Sequence, residues 1–309
     1  MTGSVDVREV TVRYRRTTAV YRISLRFDGP AIHGLLGRNG SGKTSLLSVV
    51  AAFRKANGGA VLLDGEPVYE NPAATRRICF VRGDGDTVDH DWPGDRVRDA
   101  LDVAARLRPQ WDADFADELV ERFGLPLRGR LSELSRGQRS ALGITLGLAS
   151  RAPLTIFDES YLGMDAPSRY AFFDALMADY VAHPRTFVIS THYIDEVAPL
   201  FEHVAIIDDG RLLLQDTAEG LRTRGAAVTG PAETVAAFTD GLEVLATQQL
   251  GPTRQVTVYG EFDEAWRRQA QRAGLELGPV ALQDLFVHLT DRDRGERVTD
   301  RASAGRSSS

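Results

Sequence analysis

An α/β fold built around a phosphate-binding turn is what this sequence predicts, and three stretches carry the expectation. The first is Gly37-Arg38-Asn39-Gly40-Ser41-Gly42-Lys43-Thr44, which fits G-x-x-x-x-G-K-[ST] at every required position. The second is Leu154-Thr155-Ile156-Phe157-Asp158-Glu159, an apolar strand that ends in two carboxylates. The third is Leu134-Ser135-Arg136-Gly137-Gln138, which opens a long apolar helix reaching about Ala149.

In chain order, Val5 to Tyr14 and Val20 to Phe27 alternate apolar with polar residues and are expected to be antiparallel strands. Tyr14 closes the first of them, where an aromatic ring can stack on a nucleobase; packing explains such a residue equally well. His33-Gly34-Leu35-Leu36 is the end of a buried strand, and Ser45 to Ala52 is a helix, so the Gly-rich segment has its required strand-loop-helix setting. Its glycines let the backbone curl and aim N–H groups at phosphates, and the helix N-terminus adds the positive end of its dipole. Lys43 is expected to reach the β and γ phosphates, and the Thr44 hydroxyl to ligate Mg²⁺. All but two of the 37 basic residues are arginine, and Lys43 is one of the two lysines. A compact, rotatable ammonium stands where a planar fork would not fit.

After that helix, Ala60 to Val68 reads as a hairpin turning at Asp64-Gly65, and Arg77 to Val81 as a strand. Residues 83–94 form a polar, acidic loop. It suggests a calcium loop only superficially, because counting from Asp84 the sixth and twelfth positions hold Asp89 and Asp95 in place of Gly and Glu. Helices are expected over Val97 to Leu107 and Asp112 to Phe123, the second capped by Asp112. The Ser135 turn ahead of its helix offers a hydroxyl and free N–H groups to an anion, or is merely a cap. At the end of the next strand, Asp158 can hold Mg²⁺ or its water while Glu159 polarises an attacking water. Gly163-Met164-Asp165, a helix over Pro167 to Val181, a strand over Thr186 to Ser190 and His192 just past it complete the series.

Composition narrows the function classes. A hydrophobic content of 43% and a charged content of 26% are those of an ordinary soluble protein. A net charge of −6 argues against a nucleic-acid binder. No apolar run is long enough to span a bilayer, and Met1 to Val12 lacks the apolar core of a secretory signal, so the chain is expected in the cytoplasm. The single cysteine, Cys79, reads as a buried strand residue, and the histidines other than His192 share no metal-like spacing.

Taken in order, the phosphate loop, Leu-Ser-Arg-Gly-Gln, the Asp-Glu strand end, Gly-Met-Asp and Ser190-Thr191-His192 resemble the ATP-binding subunits of bacterial ABC transporters, of the exporter type whose permease is a separate chain. The resemblance covers about residues 5–218. It implies a P-loop NTPase with an ABC-type nucleotide-binding domain over 1–220: a RecA-like core, an antiparallel β subdomain and a helical subdomain at about 95–150. It implies an ATPase using ATP and Mg²⁺. Tyr14 matches the adenine-stacking aromatic, and residues Gly37, Arg38, Asn39, Gly40, Ser41, Gly42, Lys43, Thr44 and Ser45 the phosphate cradle. Thr44 and Asp158 match the metal site, Glu159 the catalytic carboxylate, His192 the switch histidine and Asp165 the loop that crosses between subunits. Ser135, Gly137 and Gln138 match the signature that closes on ATP held by a second copy, so one chain is an incomplete enzyme. The implied partners are a second ATP-binding domain, in a homo- or heterodimer, and transmembrane permease chains, with the protein attached to the inner face of the membrane and no nucleic acid bound.

Two departures stand out. Arg136 stands where the signature usually has a further glycine beside Gly137. The glutamine that follows the Ile78 to Val81 strand in the family is absent, and Arg82-Gly83-Asp84-Gly85-Asp86 stands there instead. The acids from Asp84 to Asp91 are expected to take over contact with Mg²⁺ or with basic permease groups, unless they are simply solvated. Beyond Leu214, residues 221–290 read as a small α+β domain in the order β-α-β-β-α-β, a ferredoxin-like arrangement, with a final helix over Ala281 to Leu289. Residues 291–309 have almost nothing apolar and are expected to be disordered. The alternatives are a soluble ABC-type ATPase acting on nucleic acid or ribosomes, and a weakly hydrolysing ATP-dependent switch.

Overall fold

The computed structural model describes residues 3–83 and 96–291. The acids expected to replace the glutamine, the acidic 83–94 loop beyond Gly83 and the tail from residue 292 lie outside the described residues. The chain divides into two compact units, Met1–His192 with Leu200–Gln215, and Tyr193–Pro199 with Asp216–Ser309.

In the first unit, β1 (Val5–Tyr14) pairs antiparallel with β2 (Thr17–Phe27), then β3 (Ile32–Leu36) leads through the Gly-rich turn into α1 (Lys43–Val50). β4 (Gly58–Leu63) returns antiparallel to β1 and turns into the short β5 (Glu66–Pro67) through Asp64 and Gly65, both at positive φ as a tight hairpin requires. After α2 (Pro72–Thr75), β6 (Ile78–Arg82) precedes three helices: α3 (Val97–Leu107), α4 (Ala113–Arg122) and α5 (Arg136–Ala149). Then come β7 (Leu154–Asp158), α6 (Ala166–Ala182) and β8 (Thr186–Thr191), and, past the short α7 (Ile194–Val197) of the second unit, β9 (His203–Asp208) and β10 (Arg211–Thr217).

Two sheets result. One has the order β2-β1-β4-β5, the other β10-β9-β3-β8-β7-β6, in which β6/β7, β7/β8, β8/β3 and β3/β9 are parallel pairs. Strands β3, β7 and β8 are buried at every residue because both faces are covered, which is why they are largely apolar without a polar-apolar alternation. Leu46, Leu47 and Val50 of α1 pack into one core with Val10, Val12 and Val20 and with Leu35, Ile156 and Val188. Each such fully buried side chain contributes about 1.5–3 kcal/mol. The phosphate turn is thus seated on a rigid wedge of core. On the other side, Phe157 of β7 meets Phe172 of α6 edge-on at 5.2 Å between ring centroids.

The second unit holds α8 (Ala218–Thr223), β11 (Gly225–Pro231), α9 (Ala232–Phe238), β12 (Glu243–Leu250), β13 (Thr253–Tyr259), α10 (Glu264–Arg272) and β14 (Glu276–Gly278), followed by helical residues 282–291. Its sheet runs β12-β13-β11-β14 with every neighbouring pair antiparallel, the strand order of a β-α-β-β-α-β unit in which the last strand pairs with the first. Val228, Val256 and Val258 on one face pack with Val235 of α9 and Ala270 of α10, with Phe238, Phe262 and Trp266 around them. Ala227 and Thr257, which alternate with those valines, are buried as well, so this stretch of the sheet is covered on both faces.

Candidate functional site

In a parallel sheet with helices on its faces, ligands bind beyond the carboxyl ends of the strands. Three such ends, of β3, β7 and β8, deliver the predicted residues to one place. From β3 the chain turns through Gly42, whose φ of 103° places it in the left-handed region just before α1. A Cβ there would lie 2.4 Å from the Ala19 carbonyl oxygen, so only glycine permits this turn. Lys43 is only 5% exposed, and its Nζ donates to the Gly37 oxygen at 2.6 Å and the Arg38 oxygen at 3.1 Å. It also pairs with Glu159 Oε1 at 3.1 Å.

From β7 come Asp158 and Glu159. Asp158 is buried; burial pushes its carboxyl above the usual range, while hydrogen bonds from the Ser190 and Thr44 hydroxyls and the Lys43 charge pull the other way. Ser190 belongs to β8 and stands opposite Asp158 in register. Glu159 has φ 52°, an uncommon conformation for a side chain of this size, and costs of order 1–3 kcal/mol. That turn brings Oε1 within reach of both Lys43 and His192, whose Nδ1 lies 3.1 Å away. Lys43, Thr44, Asp158, Glu159 and His192 therefore converge, although in sequence they span nearly 150 residues.

The other predicted residues fall into two further groups. Tyr14, 42% exposed, is beside the start of α1: its hydroxyl accepts from Ser45 Oγ at 3.3 Å, and the Arg54 guanidinium lies 3.9 Å above its ring. One face of the ring is already taken. Ser135, Gly137, Gln138 and Asp165 gather at the starts of α5 and α6. Ser135 and Gln138 form a capping box, Gln138 N donating to Ser135 Oγ at 3.2 Å and Ser135 N to Gln138 Oε1 at 3.0 Å. Asp165 caps α6 by accepting from Ser168 N at 3.0 Å, and those hydrogen bonds hold its carboxyl below the usual range. Gly137 packs closely on the Gly163 carbonyl, tying the two turns together.

Residues that sequence reasoning did not single out complete the picture. Tyr161, fully buried, donates its hydroxyl to Thr191 Oγ1 at 2.6 Å, linking the segment after Glu159 to the residue before His192. Thr44, Arg82, Gly83, Arg136, Asp158, Glu159 and Leu162 line one cavity of about 180 Å³.

The site suits a nucleotide and a hard cation. Ser41 Oγ is buried in the turn with no hydrogen-bond partner among the described residues, a polar group waiting for one. Among them, no cluster of three or more His, Cys, Asp or Glu could hold a metal, whereas one hydroxyl and one carboxylate beside a phosphate are what Mg²⁺ commonly takes.

Residues 20–161 match the family model described as ABC transporter. The chain has the ATP-binding domain of an ABC transporter. It is an ATP-hydrolysing subunit of that class. The chain is 28% identical over 309 aligned residues to the daunorubicin resistance ATP-binding protein DrrA3 of Streptomyces coeruleorubidus, covering 94% of this chain and 97% of that one. It is 30% identical over 210 residues to the spermidine/putrescine import ATP-binding protein PotA of Nitrosospira multiformis, covering 67% of this chain and 58% of that one. A solved ATP-binding subunit of an ABC transporter superposes with a TM-score of 0.62 at 19% identity, covering 71% of this chain and 91% of that one, which fixes the fold of the ATP-binding domain.

Proposed function

We propose that this subunit works as a dimer around two ATP-Mg²⁺, driving export through separate permease chains. The observation that carries the site is the convergence of Lys43, Thr44, Asp158, Glu159 and His192 at the ends of three parallel strands. Thr44 and Asp158 hold Mg²⁺, which when bound neutralises charge on the β and γ phosphates. Lys43 exchanges its contact with Glu159 for phosphate oxygens, so the Glu159 carboxylate is released to orient water and accept its proton. Glu159 at Nδ1 fixes the His192 ring beside the place of the terminal phosphate. Ser135, Gly137 and Gln138 close on the nucleotide of a second copy, and Asp165 stands beside that junction.

Export is supported by extent. The drug-resistance relative aligns along 94% of this chain, C-terminal domain included, and the import relative along 67%. For a permease, the chain offers Phe53, 73% exposed, at the rim of an open groove lined by Ala52, Ile78, Phe80 and Arg108. No helix among the described residues is long and apolar enough to cross a membrane. In this reading that partner holds the subunit at the inner membrane face.

Glu159→Gln keeps size and removes the charge that accepts the proton; steady-state hydrolysis should fall at least about 100-fold while ATP affinity stays within a few-fold. Size-exclusion with ATP and Mg²⁺ should then show a dimer, and a monomer with normal affinity would refute the sandwich. Phe53→Asp should leave basal ATPase unchanged and release the protein from its membranes. Retention at wild-type levels would rule out the groove.

A further inference from the structure

The cavity that touches Thr44, Asp158 and Glu159 has an opposite wall made by residues with no assigned role. Gly83 follows the end of β6, and its N–H donates to the Asp158 carbonyl at 2.8 Å. A Cβ at Gly83 would lie 2.2 Å from the Glu159 carbonyl oxygen and 2.5 Å from its carbon, so no side chain fits at this position. Whatever an amide would supply there has to come from elsewhere. The group that the fold brings in is Arg136, the first residue of α5. Its stem is held against the turn after Glu159, since a Cβ added to Gly163 would meet Arg136 Cγ at 2.9 Å. From there the side chain reaches the cavity with Leu162.

Arg136 is a cation lining a space with two carboxylates, yet among the described residues its side chain makes no ion pair or hydrogen bond. Asp158 is engaged by Ser190 and Thr44, and Glu159 by Lys43 and His192. What the guanidinium lacks is an anion, and the group that enters beside Thr44 and Lys43 is the terminal phosphate. Arginine suits such a partner, because its planar fork offers two parallel N–H donors to phosphate oxygens.

We propose that Arg136 contacts the terminal phosphate of the nucleotide held by its own chain, so that together with His192 it separates ATP from ADP at this site. The proposal rests on the nucleotide site described above and goes beyond it in one respect: the neighbouring Ser135, Gly137 and Gln138 face the nucleotide of the other copy, whereas Arg136 turns back along the 159–163 segment to its own. Since the β phosphate is reached by Lys43 and the turn, ADP binding is independent of Arg136.

The test uses the full chain with Mg²⁺ and two probes, the β,γ-imido analogue of ATP and ADP, at a protein concentration where sedimentation shows monomer. A charge-assisted contact of this kind is worth about 10- to 100-fold in affinity. Arg136→Ala should weaken the ATP analogue by at least about tenfold and leave ADP within twofold; Arg136→Lys, which keeps the charge without the fork, should recover part of the loss. Arg136 is exposed, so the variants fold, and an unchanged melting temperature verifies it. Equal effects on both nucleotides, or none, overturn the proposal. A loss seen only in the dimer places the contact on the partner's nucleotide and overturns it too. Lys43→Ala should lose both nucleotides; if it keeps both, the phosphate site itself is misassigned and the role of Arg136 falls with it.

Discussion

The two ends of the parallel sheet both bury charge, and they do so for opposite purposes. At the carboxyl ends of β3, β7 and β8, Asp158 and Glu159 line a cavity, Lys43 and His192 each pair with Glu159, and Ser41 Oγ has no partner among the described residues. At the amino ends of β7 and β8 the charges close on one another. Asp179 of α6 is buried between Arg151 and Arg185, Arg185 Nη2 lying 2.5 Å from Asp179 Oδ2 and 3.0 Å from the Leu148 oxygen. Arg151 also pairs with Asp112 at 2.8 Å, the carboxylate that caps α4. Burial pulls the Arg185 guanidinium down to about 9, with Arg151 adding to the shift. Buried charge is therefore no sign of a site by itself. Arg185 Nε also has no hydrogen-bond partner among the described residues, and Arg151 and Arg185 line a groove, so what separates the two ends is that Asp179 is wholly buried between its cations whereas Glu159 is partly open beside its cavity.

The comparison can be broken by substitution at each end. The largest effect is expected at the closed end: Asp179→Ala leaves two guanidiniums buried without their carboxylate, and the stability should fall by about 3–5 kcal/mol in denaturant unfolding. Nucleotide affinity of the folded fraction should be unchanged. A stability loss below about 1 kcal/mol would mean that water completes the coordination there and the distinction fails. At the open end, the Glu159→Gln change described above should have the reverse profile, with chemistry lost and stability nearly kept, because Lys43 keeps its hydrogen bonds to the Gly37 and Arg38 oxygens and the amide keeps the size of the carboxylate.

A smaller effect comes from His33 of β3, stacked on His203 at 5.1 Å between centroids. Burial pushes the His33 imidazole down to about 4, against the hydrogen bond of its Nε2 to the Asp28 carbonyl and the nearby Glu202 and Asp28 charges; His203 adds to the lowering. Between pH 6.5 and that value the unfolded chain binds a proton the folded chain refuses. The stability is therefore present above pH 6.5 and is lost as pH falls. Going from pH 7 to pH 5 should cost about 2 kcal/mol from this group alone. In His33→Phe the slope of unfolding free energy against pH should flatten over that window, and an unchanged slope would show that His33 accepts its proton in the fold.

Much of the site was legible because its spacing is local. The turn from Gly37 to Thr44 must curl, cradle and cap within a few residues, so its residue types are dictated by backbone geometry alone. Asp158 and Glu159 were readable for a related reason, since a strand buried on both faces can carry carboxylates only where it emerges. The capping roles of Ser135 and Asp165 also follow from sequence neighbours three residues away. In the C-terminal unit, the order of elements was readable from periodicity, while the pairing of β11 with both β13 and β14 came from the fold.

By itself the sequence determined the fold class, the phosphate turn, the order of the strands and helices other than α2, α7, β9, β10 and α8, and the identity of the acids at the end of β7, because each depends on contacts within one element or one turn. Only the tertiary structure decided that Lys43 and His192 share one carboxylate oxygen of Glu159, that Tyr161 ties the two strand ends through Thr191, and that Gly83 has no room for a side chain while Arg136 reaches the space in front of it. These are meetings between residues tens of positions apart. No local preference encodes them, since each is set by how the strands order in the sheet and how closely α5 and the 159–165 segment pack.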